Sequence, residues 1–292
     1  MSQAFNIYKM LNDIIPKDIS EIIIKKICVN RMRKHLKSIG LDPDAIFKQL
    51  RDYKCVISGS FPLMCLLDDL PDPFISDVDI YGLFNESDMG RSTKHQSVYP
   101  IHEFEENLYK DMGGRWDVVG QNCLYTVLKI VYVRDYYTKG NDDDKNKPKL
   151  QFISTQMDPV KFITKTFDLS FCKVIFDGNN LFVDKFEDTI QKKGMVSNTV
   201  EYSDCLPMLR DIINEGRGLS DPKFYGDITQ IFVEATEAEN YKQHPFIKFL
   251  AKFKSKIIEG NIFFDIPPGY IGVVTLILRI IKYINRGFNI VL

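Results

Sequence analysis

The stretch Val56–Phe84, VISGSFPLMCLLDDLPDPFISDVDIYGLF, decides the fold. It reads as a strand ending at Ser58, a turn at Ser58-Gly59-Ser60, an apolar helix over Phe61–Leu67, a loop, and a second strand carrying Asp77-Val78-Asp79. Side chains alternate across a strand, so Asp77 and Asp79 share one face while Val78 and Ile80 turn to the other, buried one. Two adjacent carboxylates repel each other and call for a cation at neutral pH. Mg²⁺ takes oxygen ligands of this kind and shares them with substrate phosphates. The Gly59-Ser60 turn, immediately before a helix, offers backbone N–H groups and a helix N-terminus to a phosphate. A phosphate cradle followed by a metal-binding acid pair is the equipment of phosphoryl or nucleotidyl transfer.

Gly59-Ser60 followed by Asp77-Val78-Asp79 resembles the DNA polymerase β-like nucleotidyltransferase superfamily, whose signature is Gly-Ser at a strand-to-helix turn and Asp-x-Asp on the next strand. The resemblance implies an α/β (α+β) fold with a mixed-sheet core. It implies a nucleoside triphosphate, ATP first among them, on Gly59 and Ser60. It implies Mg²⁺ or Mn²⁺ on Asp77 and Asp79. In that superfamily a third acid on a neighbouring strand completes the metal site, and Asp168, opening an expected strand Asp168–Phe176, is the candidate. The third acid would hold a second metal, about 3.5–4 Å from the first, and help deprotonate the attacking hydroxyl. Asp168 also reads as a turn or cap acid at a strand entry, and the gap from Asp79 is long. The strand Leu150–Ser154, LQFIS, contains no acid. FDLSFCKV (Phe167–Val174) together with the terminal KYINRGF (Lys282–Phe288) further resembles nucleotidyltransferase-like proteins of large DNA viruses and mobile elements. The resemblance runs from about Lys54 onward and leaves the N-terminal helices unexplained.

Working outward, the chain divides into an N-terminal helical lead-in (1–51), a nucleotidyltransferase-like core (52–190) and a helical C-terminal region (191–292). In the lead-in, Asp18-x-x-Glu21 suggests a capping box, with Ile19, Ile22, Ile23 and Ile27 as the apolar stripe. Gly40 stops that helix, and Asp42-Pro43 starts the next as N-cap and first-turn proline. Residues 85–100 read as a loop, Ile101–Met112 as a helix and Leu124–Tyr137 as a long strand. KGNDDDKNKPK, Lys139–Lys149, reads as a solvated hairpin loop rather than a metal site. Asp158-Pro159 caps a helix ending at Thr166, and Asp177-Gly178 turns into a strand Leu181–Asp184. Beyond about Ser203 the pattern is mostly helical.

Composition narrows the function classes. With 292 residues, 45% hydrophobic and 26% charged, the chain can bury one large core or two modest ones. A net charge of −1 is unlike a dedicated nucleic-acid-binding domain, so any such contact must come from a local patch. Six scattered cysteines in mostly apolar runs read as reduced core thiols, and the four histidines form no metal-ligand pattern. The chain reads as cytoplasmic: no signal peptide is evident, and the longest apolar run, Ile271–Leu278, is far short of a membrane span.

Lys248, Lys252 and Lys256, interleaved with phenylalanines, read as the solvated face of a helix, with a nucleic-acid backbone or triphosphate contact as the alternative. Arg279, Lys282 and Arg286 read as the polar face of a last helix capped by Gly287. Two readings of function follow. One is a metal-dependent nucleotidyltransferase acting on an RNA end, a small molecule or a protein hydroxyl, with no membrane partner. The other is an inactive protein of the same fold serving as a binding or assembly subunit; a toxin or immunity protein of that fold stands beside them.

Overall fold

Ser2 opens the first helix: its Oγ accepts from the Phe5 amide at 3.2 Å and donates to the Ile190 carbonyl at 2.5 Å. The computed structural model of the protein describes residues 2–68, 77–84, 100–111, 116–122, 130–138 and 149–197, and near the C-terminus residues 276, 279–280, 282–284 and 286–291. The chain forms two units, Met1–Gln191 and Lys192–Leu292, and the fold is mixed α/β. The helical lead-in belongs to the first unit, with the sheet.

Three helices lead in: α1 (Gln3–Asn12), α2 (Lys17–Ser38) and α3 (Pro43–Asp52). The expected capping box does not form. Helix α2 begins at Lys17 after Pro16 without a side-chain cap, and Glu21 pairs with Lys25 at 2.6 Å instead. The expected isoleucine stripe is also displaced: Ile19 and Ile22 are 42% and 48% exposed. The buried stripe is Ser20, Ile24, Cys28, Met32 and Leu36, one residue round the helix. Packing against the helix over Ser60–Leu67 explains the choice, because small and flexible residues let the two backbones approach. Cys28 Sγ donates to the Pro62 carbonyl at 3.6 Å, and Arg31 to the Cys65 carbonyl at 3.1 Å. Gly40, at φ +79°, follows the end of α2, and Asp42 caps α3 by accepting from the Asp44 amide at 2.9 Å.

The apolar run after Gly59 is helix α4 (Ser60–Leu67), with every residue from Phe61 to Leu67 buried. An all-apolar helix must be enclosed on all sides, and contact with α2 supplies one of them. Among the described residues the strands β1 (Val56–Ser58), β2 (Asp77–Leu83), β3 (Trp116–Asn122), β4 (Ile130–Thr138), β5 (Lys149–Thr155), β6 (Val174–Phe176) and β7 (Leu181–Val183) make one mixed sheet, ordered β3-β4-β5-β2-β1-β6-β7. Within this sheet, among the described residues, only the β2–β5 pairing is parallel, running from Asp77↔Lys149 to Leu83↔Thr155.

One face of the sheet, bearing Val78, Ile80, Leu150 and Phe152, is dry. Phe47 of α3 packs on Phe176 at 4.5 Å, and Phe104 of helix α5 (Pro100–Asp111) packs on Phe152 at 5.5 Å. On the other face, Phe162 and Ile163 of helix α6 (Pro159–Thr166) join Val56, Tyr81, Val133, Ile153 and Ile175 in a second core cluster. Asp158 caps α6 by accepting from the Lys161 amide at 3.0 Å.

Strand β3 is not evident from its sequence, WDVVGQN, which breaks alternation at a bulge between Val118 and Gly120. Residues 124–129, the first part of the expected long strand, lie outside the described residues, as do residues 85–99 and 139–148, which read from sequence as loops, and residues 198–275 with Lys248, Lys252 and Lys256. The expected strand Asp168–Phe176 is shorter than read. A 3-10 turn, Ser170–Cys172, precedes β6, held by Cys172 N–H donating to Leu169 O at 3.0 Å. That turn buries both Leu169 and Phe171, which their spacing alone makes look like strand alternation. After β6, Asp177 Oδ1 accepts from the Asn179 and Asn180 amides, and Gly178 at φ +90° turns the chain into β7. A Cβ at Gly178 would lie 2.3 Å from the Phe47 carbonyl oxygen. Helix α7 (Phe186–Ile190) follows.

In the second unit β8 (Lys193–Met195) pairs in parallel with β9 (Asn289–Val291), a strand absent from the helical expectation. Residues 282–284 are helical, as read, and Gly287 at φ +81° ends the helix. No helix among the described residues is long and apolar enough to cross a membrane.

Candidate active site

The turn between β1 and α4 is built against the acid pair. Ser58 stands directly across from Asp79 in the antiparallel β1–β2 ladder. Its own hydroxyl is turned inward, donating to the Val174 carbonyl of β6 at 2.8 Å. The chain then leaves the strand at Gly59, with φ +89° and ψ −147°, a backbone region that is almost exclusively glycine's. A Cβ there would lie 2.7 Å from Asp79 Oδ2, inside van der Waals contact. Glycine is therefore required twice over, by the turn and by the approach of the carboxylate. Ser60 follows as the first residue of α4, half-buried, at the positive end of the helix dipole.

Strand alternation places the acids as read. Asp77 and Asp79 are half-buried, whereas Val78 and Ile80 are fully buried on the opposite face. The parallel ladder sets Lys149 beside Asp77 and Gln151 beside Asp79, and the β4–β5 ladder sets Asp135 beside Gln151. The side chains join across these three strands. Lys149 Nζ lies 3.4 Å from Asp77 Oδ2 and 3.8 Å from Asp135 Oδ2, and Gln151 Nε2 donates to Asp135 Oδ1 at 2.7 Å. Lys149 and Asp135 are largely covered, their side chains 18% and 17% exposed, while that of Asp77 is 48% exposed. Among the described side chains the acid end of this face carries the carboxylates of Asp77, Asp79 and Asp135 and the Lys149 ammonium. The β3–β4 ladder sets Asp117 on the same face, across from Tyr137, and the face's other end is the apolar cluster under α6.

Asp168 occupies the bend between α6 and the 3-10 turn and is buried. It is not on a strand beside β2, because β6 pairs with β1 and β5 fills the other side of β2. Among the described residues no group of three or more His, Cys, Asp or Glu side chains is arranged to hold a metal ion. The structure brings Gly59, Ser60, Asp77 and Asp79 to one end of the sheet and does not join Asp168 to them in such a group.

Lys149, Gln151 and Asp135 are neighbours that reading the sequence did not single out. Lys149 ends a segment that reads from sequence as a hairpin loop, and Asp135 lies in a Val/Tyr-rich strand. An acid alternating with Val133 on a strand rich in Val and Tyr is the available clue.

The donor set is of the kind a hard divalent cation takes: the carboxylate oxygens of Asp77 and Asp79 on one face, both half-buried, with the Gly59 turn packed directly against Asp79. Two shallow grooves, of about 330 and 350 Å³, lie elsewhere, around Leu41, Pro43 and Leu108 and around Gln49, Tyr53 and Asn107. They are lined by lysines, aspartates and apolar residues of α2, α3 and α5, and neither includes a residue of the acid face. No protein-family model, curated protein or solved structure matches this chain.

Proposed function

We propose that the chain is a metal-dependent nucleotidyltransferase, moving a nucleoside monophosphate from a triphosphate, ATP foremost, to a hydroxyl of an RNA end, a small molecule or a protein. The observation that carries this reading is the packing of the Gly59 turn onto Asp79. A helix N-terminus suited to phosphate and a carboxylate suited to metal sit so close that even a methyl group would not fit between them. Asp77 and Asp79 hold Mg²⁺ or Mn²⁺, which supplies charge neutralisation at the phosphates. The first amides of α4 and the Ser60 hydroxyl receive the phosphate chain. The acceptor oxygen forms a bond to the α-phosphorus, the bond to the departing pyrophosphate breaks, and the hydroxyl proton passes to a carboxylate base, for which Asp168 is the candidate. The four described free cysteines, all buried, suit a reducing, cytoplasmic setting.

Incubation with each labelled triphosphate, Mg²⁺ and an RNA oligomer, followed by Asp168→Asn, tests the reading. Loss of transfer with stability kept assigns Asp168 to the chemistry; loss of stability with transfer kept in the folded fraction assigns it to the bend. The second reading, an inactive binding or assembly subunit, draws support from the Lys149 ammonium already lying beside Asp77. Wild type inert with every triphosphate, and without Mg²⁺-dependent nucleotide binding, would favour it.

A further inference from the structure

Repulsion between paired carboxylates is relieved by any cation, and here a covalently supplied one is present. Lys149 reaches between Asp77 and Asp135 from β5, the strand adjoining the acid pair. A further carboxylate on that strand beside the pair would have to occupy Lys149 or Gln151, since these alone stand level with Asp77 and Asp79. We propose that Lys149 takes the place of a second metal ion, so that the site holds a single divalent cation on the Asp79 side. This rests on the nucleotidyltransferase reading for the identity of the site.

Charge supports the assignment. Asp77, Asp79 and Asp135 carry three negative charges and Lys149 returns one positive charge, so the lysine lowers by one the positive charge these three carboxylates call for. Gln151 adds to the same effect. Its amide, standing between Asp79 and Asp135 in the ladders, donates to Asp135 Oδ1, whose other oxygen lies 3.8 Å from Lys149 Nζ. Lys149 is mostly covered, so its ammonium is not simply exchanged for water. It competes with a metal ion for Asp77, and it is placed to follow the phosphate charge once a triphosphate enters.

The test is Mn²⁺ binding to the full chain without nucleotide, followed by electron paramagnetic resonance of the free ion. Wild type should bind one Mn²⁺. Lys149→Met keeps the aliphatic stem and should bind it about tenfold tighter, the change expected on removing a competing cation a few ångströms away in a partly solvated site. Lys149→Glu should bind a second Mn²⁺. If Lys149→Glu fails to fold by circular dichroism, Lys149→Met and the wild-type stoichiometry still decide. Two Mn²⁺ in wild type, none at all, or an unchanged affinity in Lys149→Met would each overturn the proposal. The labelled-triphosphate assay separates the two ideas. One Mn²⁺ with tighter binding in Lys149→Met but no transfer keeps the lysine assignment and removes the nucleotidyltransferase; transfer by a wild type that binds two Mn²⁺ does the reverse.

Discussion

Two charged clusters lie on opposite faces of the same strand, β4, and they are built to opposite ends. On the dry face, Glu105 of α5 is 1% exposed at its side chain, accepting from Arg134 Nη1 at 2.9 Å and from the Tyr136 hydroxyl at 2.5 Å. Burial and the Glu105 carboxylate together push the Tyr136 phenol well above its ordinary range, so it stays a donor. On the other face, Asp135 belongs to a row in which Asp77 is half-exposed and its lysine partner sits at 3.4 Å, beyond a good hydrogen bond. The first cluster is closed and holds α5 to the sheet. The second is open at one end, and an open carboxylate row is where a ligand with positive charge can still be accommodated.

Asp79→Asn probes the open cluster most sharply. It preserves shape and removes one metal-binding charge, so nucleotide transfer should fall by about 10²–10³-fold, the usual cost of losing one charge-stabilising group in an active site. Metal-free stability should be equal or higher by thermal melting, because one of the like charges on that face has gone. Transfer that persists in full would remove Asp79 from the chemistry. Glu105→Ala probes the closed cluster and should do the converse. It leaves Arg134 and the Tyr136 hydroxyl without their acceptor, and should cost about 3 kcal/mol in urea unfolding. That is the low end for a broken buried pair, since Arg134 is 30% exposed. Transfer per folded molecule should hardly change. A Glu105→Ala protein as stable as wild type would show that the closed network is not what holds α5.

Gly59→Ala sits between the two kinds of effect. The added Cβ meets Asp79 Oδ2 at 2.7 Å, and the backbone there strongly disfavours side chains, so stability should drop by about 1–3 kcal/mol. Because the displaced group is the Asp79 carboxylate, Mg²⁺-dependent ATP binding in the folded protein should weaken as well. Unchanged ATP binding in a folded Gly59→Ala or Gly59→Val protein would place the phosphate site elsewhere.

What could be read from sequence here was local. Alternation gave the shared face of Asp77 and Asp79, and Asp42-Pro43, Gly40 and Asp177-Gly178 marked helix and turn boundaries by their own backbone chemistry. What escaped was decided by distant partners. Lys149 and Gln151 flank the acids only because β5 runs parallel to β2, and Asp135 only because β4 returns against β5. The stripe of α2 followed the demands of α4 rather than its own isoleucines. Asp168 reads as the start of a strand because Leu169 and Phe171, two apart, are both buried, and a 3-10 turn is what buries them.

The smallest expected effect concerns pH and again separates the faces. His102 of α5 stands beside the closed network. Burial chiefly lowers its pKa, the Arg134 charge lowers it further, and Glu106 opposes both. A histidine whose folded pKa is depressed takes up its proton more readily in the unfolded chain. Its contribution to stability is therefore complete above the ordinary value of about 6.5 and is lost as pH falls from there toward the lower folded pKa. His102→Gln should flatten that part of the profile: between pH 7.5 and 5.5 the urea midpoint of wild type should fall more than that of the variant. Protonation would place a second cation near Arg134, on the dry face, so metal binding at Asp79 on the other face should show no difference between the two proteins at pH 7.5. Equal falls in the two midpoints would assign the acid sensitivity to other groups, and a change in Mn²⁺ affinity in His102→Gln would show that the two clusters are coupled through β4.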